Sequence, residues 1–251
     1  MHKIFFILIL FASGFSWGKG PAVIDDTDDL TARSWLVAGA DNKILGSKNT
    51  GDVRSIASIT KVFTVLTVMA AKQDLNQNIR YNKQYWFTRQ ELIELSMVKS
   101  DNHAAELLCQ NYNGGYDKCI ADMNAHAKSW GLSNTRLTDA TGLDAGNVST
   151  AEDLLKLLPI AEQNYLIVDA ASKSKIEIKV KKAWLIFKQT NPLVGKNQKF
   201  IVSKTGTTIA AGGCIILTLS TDKGLRRVVV LGSKNGRTRI PEAEFIYKNI
   251  N

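Results

Sequence analysis

Histidine is scarce in this 251-residue chain, with only His2, His103 and His126, and cysteine equally so, with Cys109, Cys119 and Cys214. No two cysteines form a CxxC pair. The ligand spacing of a zinc site is therefore missing, and neither a metal nor an organic cofactor is expected. No period of twenty to fifty residues repeats, which sets aside solenoids and propellers. Nucleic-acid-binding motifs are lacking too. Only one long apolar run occurs, at residues 4–12, and it is too short to serve as a stable membrane anchor.

That run belongs to a leader. Lys3 supplies a positive charge before it, and the small residues Ala12, Ser13, Gly14, Ser16 and Gly18 follow. Residues 1–18 read as a secretory signal peptide, leaving residues 19–251 as a single domain outside the cytoplasm, the periplasm being the expected compartment. The GxSxG match at Gly14-Phe15-Ser16-Trp17-Gly18 lies in this leader, without the strand–turn–helix context that gives it meaning. The chain is 45% hydrophobic and 22% charged, ordinary values for a folded protein. Its net charge of +9 falls to +8 when the leader and its single Lys are removed. A basic exported protein fits an anionic cell-wall or membrane partner, although solvating lysines explain the charge equally well.

Strands are expected at residues 34–40 and 43–47, joined by a turn at Asp41-Asn42. An apolar-all-round pattern over 58–71 predicts a buried helix. Thr88-Arg89-Gln90-Glu91 and Ser149-Thr150-Ala151-Glu152 read as capping boxes, the second opening a short helix that stops at Pro159. Further helices are expected over 102–111 and 116–129. Strand patterns follow at 176–180, 200–203, 214–220 and 227–231, with turns at Gly212-Gly213 and 222–224, and a helix over 241–249 closes the chain. The expectation is an α+β fold: an antiparallel sheet from both chain ends with an inserted all-helical lobe at roughly 59–165.

The SxxK pattern occurs at Ser16, Ser58, Ser96, Ser172 and Ser220, so alone it means little. Only Ser58-Ile59-Thr60-Lys61 opens a long buried helix, where backbone N–H groups favour a developing oxyanion and i, i+3 spacing puts both side chains on one face. Ser100-Asp101-Asn102 follows 42 residues after Ser58, at a helix junction, and Lys204-Thr205-Gly206-Thr207-Thr208 follows 104 residues after Ser100, at the end of a strand. Gly206 permits close backbone approach along that edge.

SxxK, SDN and KTG in this order resemble the signature of β-lactamases and penicillin-binding proteins. Met123-Asn124-Ala125-His126-Ala127-Lys128, Gly131-Leu132-Ser133-Asn134-Thr135, Thr141-Gly142-Leu143, Asn147-Val148-Ser149-Thr150, Thr190-Asn191 and Ala211-Gly212-Gly213-Cys214 extend the resemblance over nearly all of the mature chain. It points to the low-molecular-mass D-alanyl-D-alanine carboxypeptidase and endopeptidase family, and within it to the periplasmic endopeptidase branch. The resemblance implies a β-lactamase/transpeptidase-like fold, peptidoglycan peptides as substrates and β-lactams as covalent inhibitors.

In that setting Ser58 attacks a D-alanyl carbonyl. No histidine is placed to activate it, which leaves Lys61, one helical turn away. Neutralising a lysine of ordinary pKa near pH 7 costs roughly 4–5 kcal/mol, which burial and the neighbouring cation Lys204 could supply. Ser100 is the candidate proton relay and Asn102 the group that holds substrate and Lys61. The amides of Ser58 and Thr207 are the expected oxyanion donors, with Lys204, Thr205, Gly206 and Thr207 along the substrate edge. Family resemblance places Arg239 at the substrate carboxylate.

Two features depart from the family: the stretch between Lys61 and Ser100 is short, and Cys109 and Cys119 are unfamiliar there. Both cysteines flank Asn113-Gly114-Gly115, so a 109–119 disulfide with Cys214 free and buried is the favoured pairing. Pairings 109–214 and 119–214, or no bridge, stay open. Three other readings compete with cross-link hydrolysis. A carboxypeptidase would act on uncross-linked pentapeptides. A class A β-lactamase would need a deacylating Glu, yet residues 136–147 contain none. A non-catalytic wall- or β-lactam-binding protein would not require every motif intact.

Overall fold

The computed structural model describes residues 26–196 and 198–250. The signal-peptide reading and the Gly14–Gly18 match lie outside them. In chain order come β1 (Ser34–Ala38), β2 (Ile44–Lys48), β3 (Arg54–Ser55), a 3-10 turn (Ala57–Ile59) and α1 (Thr60–Ala70). Next are β4 (Asn78–Arg80), β5 (Trp86–Thr88), α2 (Arg89–Val98), α3 (Asn102–Gln110), α4 (Gly115–Ser129) and β6 (Val148–Ser149). Then follow α5 (Ala151–Glu162), α6 (Tyr165–Ser172), β7 (Lys175–Val180) and β8 (Ala183–Lys188). Finally β9 (Lys199–Thr208), β10 (Gly212–Thr221), β11 (Gly224–Ser233) and α7 (Arg239–Asn249) end the described chain.

Both chain ends build one antiparallel sheet in the order β2-β1-β11-β10-β9, with Leu36 opposite Val229 and Ile216 opposite Lys204. Side chains alternate across it, as a period of two requires. Leu36, Ala38, Cys214, Ile216, Val229 and Leu231 join the large core under the helices α1 to α6. Trp35, Val37, Ile215, Leu217, Val228 and Val230 face the other way, onto Ala243, Ile246 and Tyr247 of α7. Helices cover both faces, so these strands read as unbroken apolar runs.

The helix α1 is buried at every position from Thr60 to Val68, which explains its lack of a polar face. A largely buried ion pair clamps the helical layer to the sheet. Arg227 of β11 grips Glu162 of α5 through Nε at 2.7 Å and Nη2 at 2.6 Å, and its Nη1 reaches the Ala40 carbonyl and Asn42 Oδ1, both at 2.9 Å. This geometry is bidentate, the arrangement in which a guanidinium fork is strongest.

Several expectations are corrected. The helix cap before α5 is Thr150, whose hydroxyl accepts from the Asp153 amide, while Glu152 turns outward to accept from Thr50. Pro159 does not stop α5; it sits inside it, in the last turns, where burial of Leu157, Leu158 and Ala161 compensates for one lost hydrogen bond. The helix α6, capped by Asn164, and the strand β8, paired with β7, were not expected; helices therefore continue to Ser172, beyond residue 165. Gly212 and Gly213 open β10 rather than forming the turn, which is made by Ile209, Ala210 and Ala211. The KTG residues lie within β9, a strand longer than the apolar run 200–203 suggests, because Lys204 and Thr205 are themselves buried.

Candidate active site

The site forms where three segments meet. The first is the 3-10 turn before α1, which holds Ser58 half-buried and leads straight into Lys61. Ser58 thus precedes the α-helix proper, whose first residue is Thr60. The second is the α2–α3 junction. Ser100 adopts a left-handed φ of 59°, and Asp101 caps α3 by accepting from the Ala104 amide at 2.8 Å, so Asn102 becomes the first helical residue. The third is β9, at the edge of the sheet.

Lys61 is fully buried and its Nζ is shared among three acceptors: Ser58 Oγ at 2.9 Å, Asn102 Oδ1 at 2.7 Å and the Thr141 carbonyl at 2.7 Å. Burial lowers its pKa to about 8, against the opposing charges of Asp139 and Asp101. Lys204 donates to Ser100 Oγ at 2.7 Å and to the Thr205 carbonyl at 2.8 Å. Burial, then Lys61, then Arg239, push the Lys204 amine well below the usual lysine range. Desolvation is the largest cause for both amines. A serine bonded to a buried amine that is partly neutral near pH 7 can lose its proton without a histidine.

The backbone of β9 runs against the serine turn. A Cβ added at Gly206 would lie 2.8 Å from the Ser58 nitrogen and 3.0 Å from the Ile56 carbonyl oxygen. The next residue, Thr207, is exposed and hydrogen-bonds the Gly206 carbonyl at 2.7 Å. Arg239, at the start of α7, donates from Nη1 to that same carbonyl at 2.9 Å and to Thr207 Oγ1. Thr205 is buried and donates to Thr190 Oγ1 at 2.7 Å.

The chain matches the family model described as D-alanyl-D-alanine carboxypeptidase over residues 22–235. The chain belongs to this family. It is a serine D-alanyl-D-alanine peptidase. It is 36% identical over 211 residues to the D-alanyl-D-alanine endopeptidase of Escherichia coli (strain K12), covering 75% of this chain and 67% of that protein. The D-alanyl-D-alanine endopeptidase of Pseudomonas aeruginosa is 31% identical over 237 residues, covering 86% of this chain and 76% of its own length. Penicillin-binding protein D2 of Listeria monocytogenes, solved in the cefotaxime-bound form, shares the fold with a TM-score of 0.78 at 23% identity, over 87% of this chain and 96% of that one.

Three features of the peptidase's site went unread in the sequence. The Thr141 carbonyl completes the Lys61 cage, and a backbone acceptor has no residue-type signature. The loop carrying it is pinned by Asp139, whose carboxylate accepts from the amides of Thr141 and Gly142 and from the Asp144 amide at 2.7 Å. Burial raises the Asp139 carboxyl, but these bonds outweigh it and hold the group below the usual carboxylate range. Tyr81, from the β4–β5 hairpin, donates to Asp101 Oδ2 at 3.1 Å and so braces the Ser100-Asp101-Asn102 turn from the short segment before it. Cys109 and Cys119 are joined in a disulfide across the α3–α4 turn, with Cα atoms 5.3 Å apart, and Cys214 is free and buried. Among the described residues no helix is long and apolar enough to cross a membrane, and no group of three His, Cys, Asp or Glu is placed to hold a metal.

Proposed function

We propose that the peptidase hydrolyses D-alanyl cross-links of peptidoglycan through a Ser58 acyl-enzyme. The observation that carries this reading is the 2.9 Å contact between Lys61 Nζ and Ser58 Oγ inside a buried amine cage. Neutral Lys61 takes the Ser58 proton as Oγ attacks the carbonyl of the D-alanine. The oxyanion is met by the amides of Ser58 and Thr207, which supports its charge in a partly desolvated site. Ser100, bonded to Lys204, passes a proton to the leaving nitrogen as the C–N bond breaks. Water then adds to the ester carbonyl, the C–Oγ bond breaks and Ser58 recovers its proton. Asn102 fixes Lys61, and Arg239 meets the carboxylate beyond the scissile bond. A β-lactam presents a strained amide to the same serine and would acylate it as a covalent inhibitor.

The peptide lies along the outer edge of β9, whose other edge is already paired with β10, so strand addition is available to it. The basic leader-bearing sequence and the 109–119 disulfide support export to an oxidising compartment such as the periplasm. Release of a terminal D-alanine from uncross-linked pentapeptides is the second reading, favoured by the same Thr207–Arg239 pair, which suits a terminal carboxylate equally. Purified cross-linked dimers and free pentapeptides, offered in parallel, decide between them. Conversion of dimers to monomers should dominate; persistence of dimers while D-alanine is released makes the enzyme a carboxypeptidase. Ser58→Ala should abolish both reactions and covalent labelling by penicillin.

A further inference from the structure

Beyond Arg239 four further cations, Arg237, Lys234, Arg33 and Arg54, line two cavities. Thr207 and Arg239 share a cavity of about 410 Å³ with Asn235, Gly236 and Arg237. A second cavity, of about 370 Å³, is bordered by Arg33, Arg54, Lys234, Thr31 and the β9–β10 turn at Ile209 and Ala210, so that consecutive residues of the segment Ser233-Lys234-Asn235 line one or the other. The two are neighbours: a Cβ at Gly212 would touch the Ser233 carbonyl oxygen at 2.5 Å, and one at Gly213 the Asn235 carbonyl oxygen at 2.2 Å. The start of β10, just after the turn that closes the substrate edge, therefore packs on the strip between them.

Several exposed cations elsewhere lie in ion pairs. Lys118, Lys156, Lys173, Lys175 and Lys248 each lie within 4.0 Å of a carboxylate. Arg33, Arg54, Lys234 and Arg237 form no ion pair among the described residues, and the Arg54 Nε is buried without a hydrogen-bond partner. The nearby buried carboxylate of Glu242 is already engaged, accepting from the Thr31 amide and hydroxyl at 2.6 Å each and from Ser233 Oγ. Four unpaired cations in one tract repel one another, and an anion seated among them relieves that repulsion.

We propose that this tract is the leaving-side subsite for cross-linked substrate: Arg237, Lys234, Arg33 and Arg54 receive the carboxylates of the second peptide stem as it emerges past Arg239. The inference rests on the reading that cross-linked peptides are substrates. In such a peptide the leaving amine belongs to a whole stem that carries several free carboxylates, whereas in a pentapeptide it belongs to one D-alanine. The small leaving group ends at Thr207 and Arg239. The large one continues toward the β9–β10 turn, into the two basic cavities. The tract thus selects by what lies beyond the scissile bond and leaves the acylating groups untouched.

The test is a Lys234→Ser/Arg33→Ser double variant, compared with wild type on three reactions. For cross-linked dimers kcat/KM should fall about tenfold in the double variant, mostly through KM, as the sum of a few solvent-screened charge contacts. Release of D-alanine from pentapeptides and acylation by labelled penicillin should stay within about twofold, which also shows that the fold is intact. Equal losses on all three reactions, or an unchanged rate on dimers, overturn the proposal. Should wild type cleave pentapeptides alone, the endopeptidase reading fails, and the tract is then judged by binding. The free tetrapeptide stem should slow penicillin acylation of wild type but not of the double variant. Absence of competition at millimolar tetrapeptide, or equal competition in both proteins, overturns the subsite as well.

Discussion

Gly206 and Ser58 touch backbone to backbone: a single added carbon on Gly206 would sit 2.8 Å from the Ser58 nitrogen. The approach brings the amide edge of β9 beside the serine, and any side chain on Gly206 must push the two apart. Gly206→Ala should therefore lower the rate of penicillin acylation by about a hundredfold, the cost expected when a reacting group is displaced by about 1 Å. Thermal unfolding should move by only a few degrees, since β9 stays paired with β10. Acylation at the wild-type rate would show that the contact has no bearing on the reaction.

The lowered pKa of Lys61 sets a pH profile. A base acts when it is unprotonated, so acylation should rise with pH through about 8 and level off above it. Below that pH the slope should approach one decade per unit. Lys61→Arg, charged at every accessible pH, should remove the rising limb and cost about 10²- to 10⁴-fold in rate. Stopped-flow acylation between pH 5.5 and 9.5 reads both outcomes at once.

The three thiols should separate cleanly by chemistry. Non-reducing peptide mapping should return a Cys109–Cys119 pair, and replacing both by Ser should cost about 2–3 kcal/mol of stability for so short a loop. Cys214 should resist alkylation in the native protein and react once it unfolds, because it is buried and burial pushes its thiol up to about 11. Rapid native labelling of Cys214 would contradict the packing between β10 and the serine turn.

How far these features could be read in advance depended on the kind of atom involved. Ser58, Lys61, Ser100, Asn102, Lys204 and Gly206 announce themselves by type and spacing, and the structure brings all six together. The Thr88 capping box and the paired strands at each chain end were equally visible, because caps and period-two alternation are local signals. What escaped was backbone chemistry and tertiary override. The Thr141 carbonyl carries no side-chain label, and its place depends on Gly142, at φ 82°, where a Cβ would overlap the Ala57 carbonyl oxygen at 1.9 Å. Pro159 signals an end that buried leucines override. Tyr81 looks like any surface aromatic until the β4–β5 hairpin folds it onto Asp101. The short segment between Lys61 and Ser100 thus carries a brace for the Ser100-Asp101-Asn102 turn.

Arg239 offers the sharpest separation of binding from scaffolding, because it does two things at once. Its Nη1 holds the Gly206 carbonyl and the Thr207 hydroxyl, and its charge faces the cavity where a substrate carboxylate would lie. Arg239→Ala removes both. Loss of a charge-assisted pair costs about 1.5–3 kcal/mol, so kcat/KM on a pentapeptide ending in a free carboxylate should fall about 10- to 100-fold. On the same peptide with its C-terminus amidated, wild type should already be slow, and the substitution should cost much less, since no ion pair remains to be lost. A purely structural role would penalise both peptides alike, through a displaced Thr207. Arg239→Lys should recover part of the free-acid rate, because a point charge restores attraction but cannot hold Gly206 and the carboxylate with one planar fork. Equal losses on acid and amide would return Arg239 to the scaffold and leave the carboxylate without a partner on this edge.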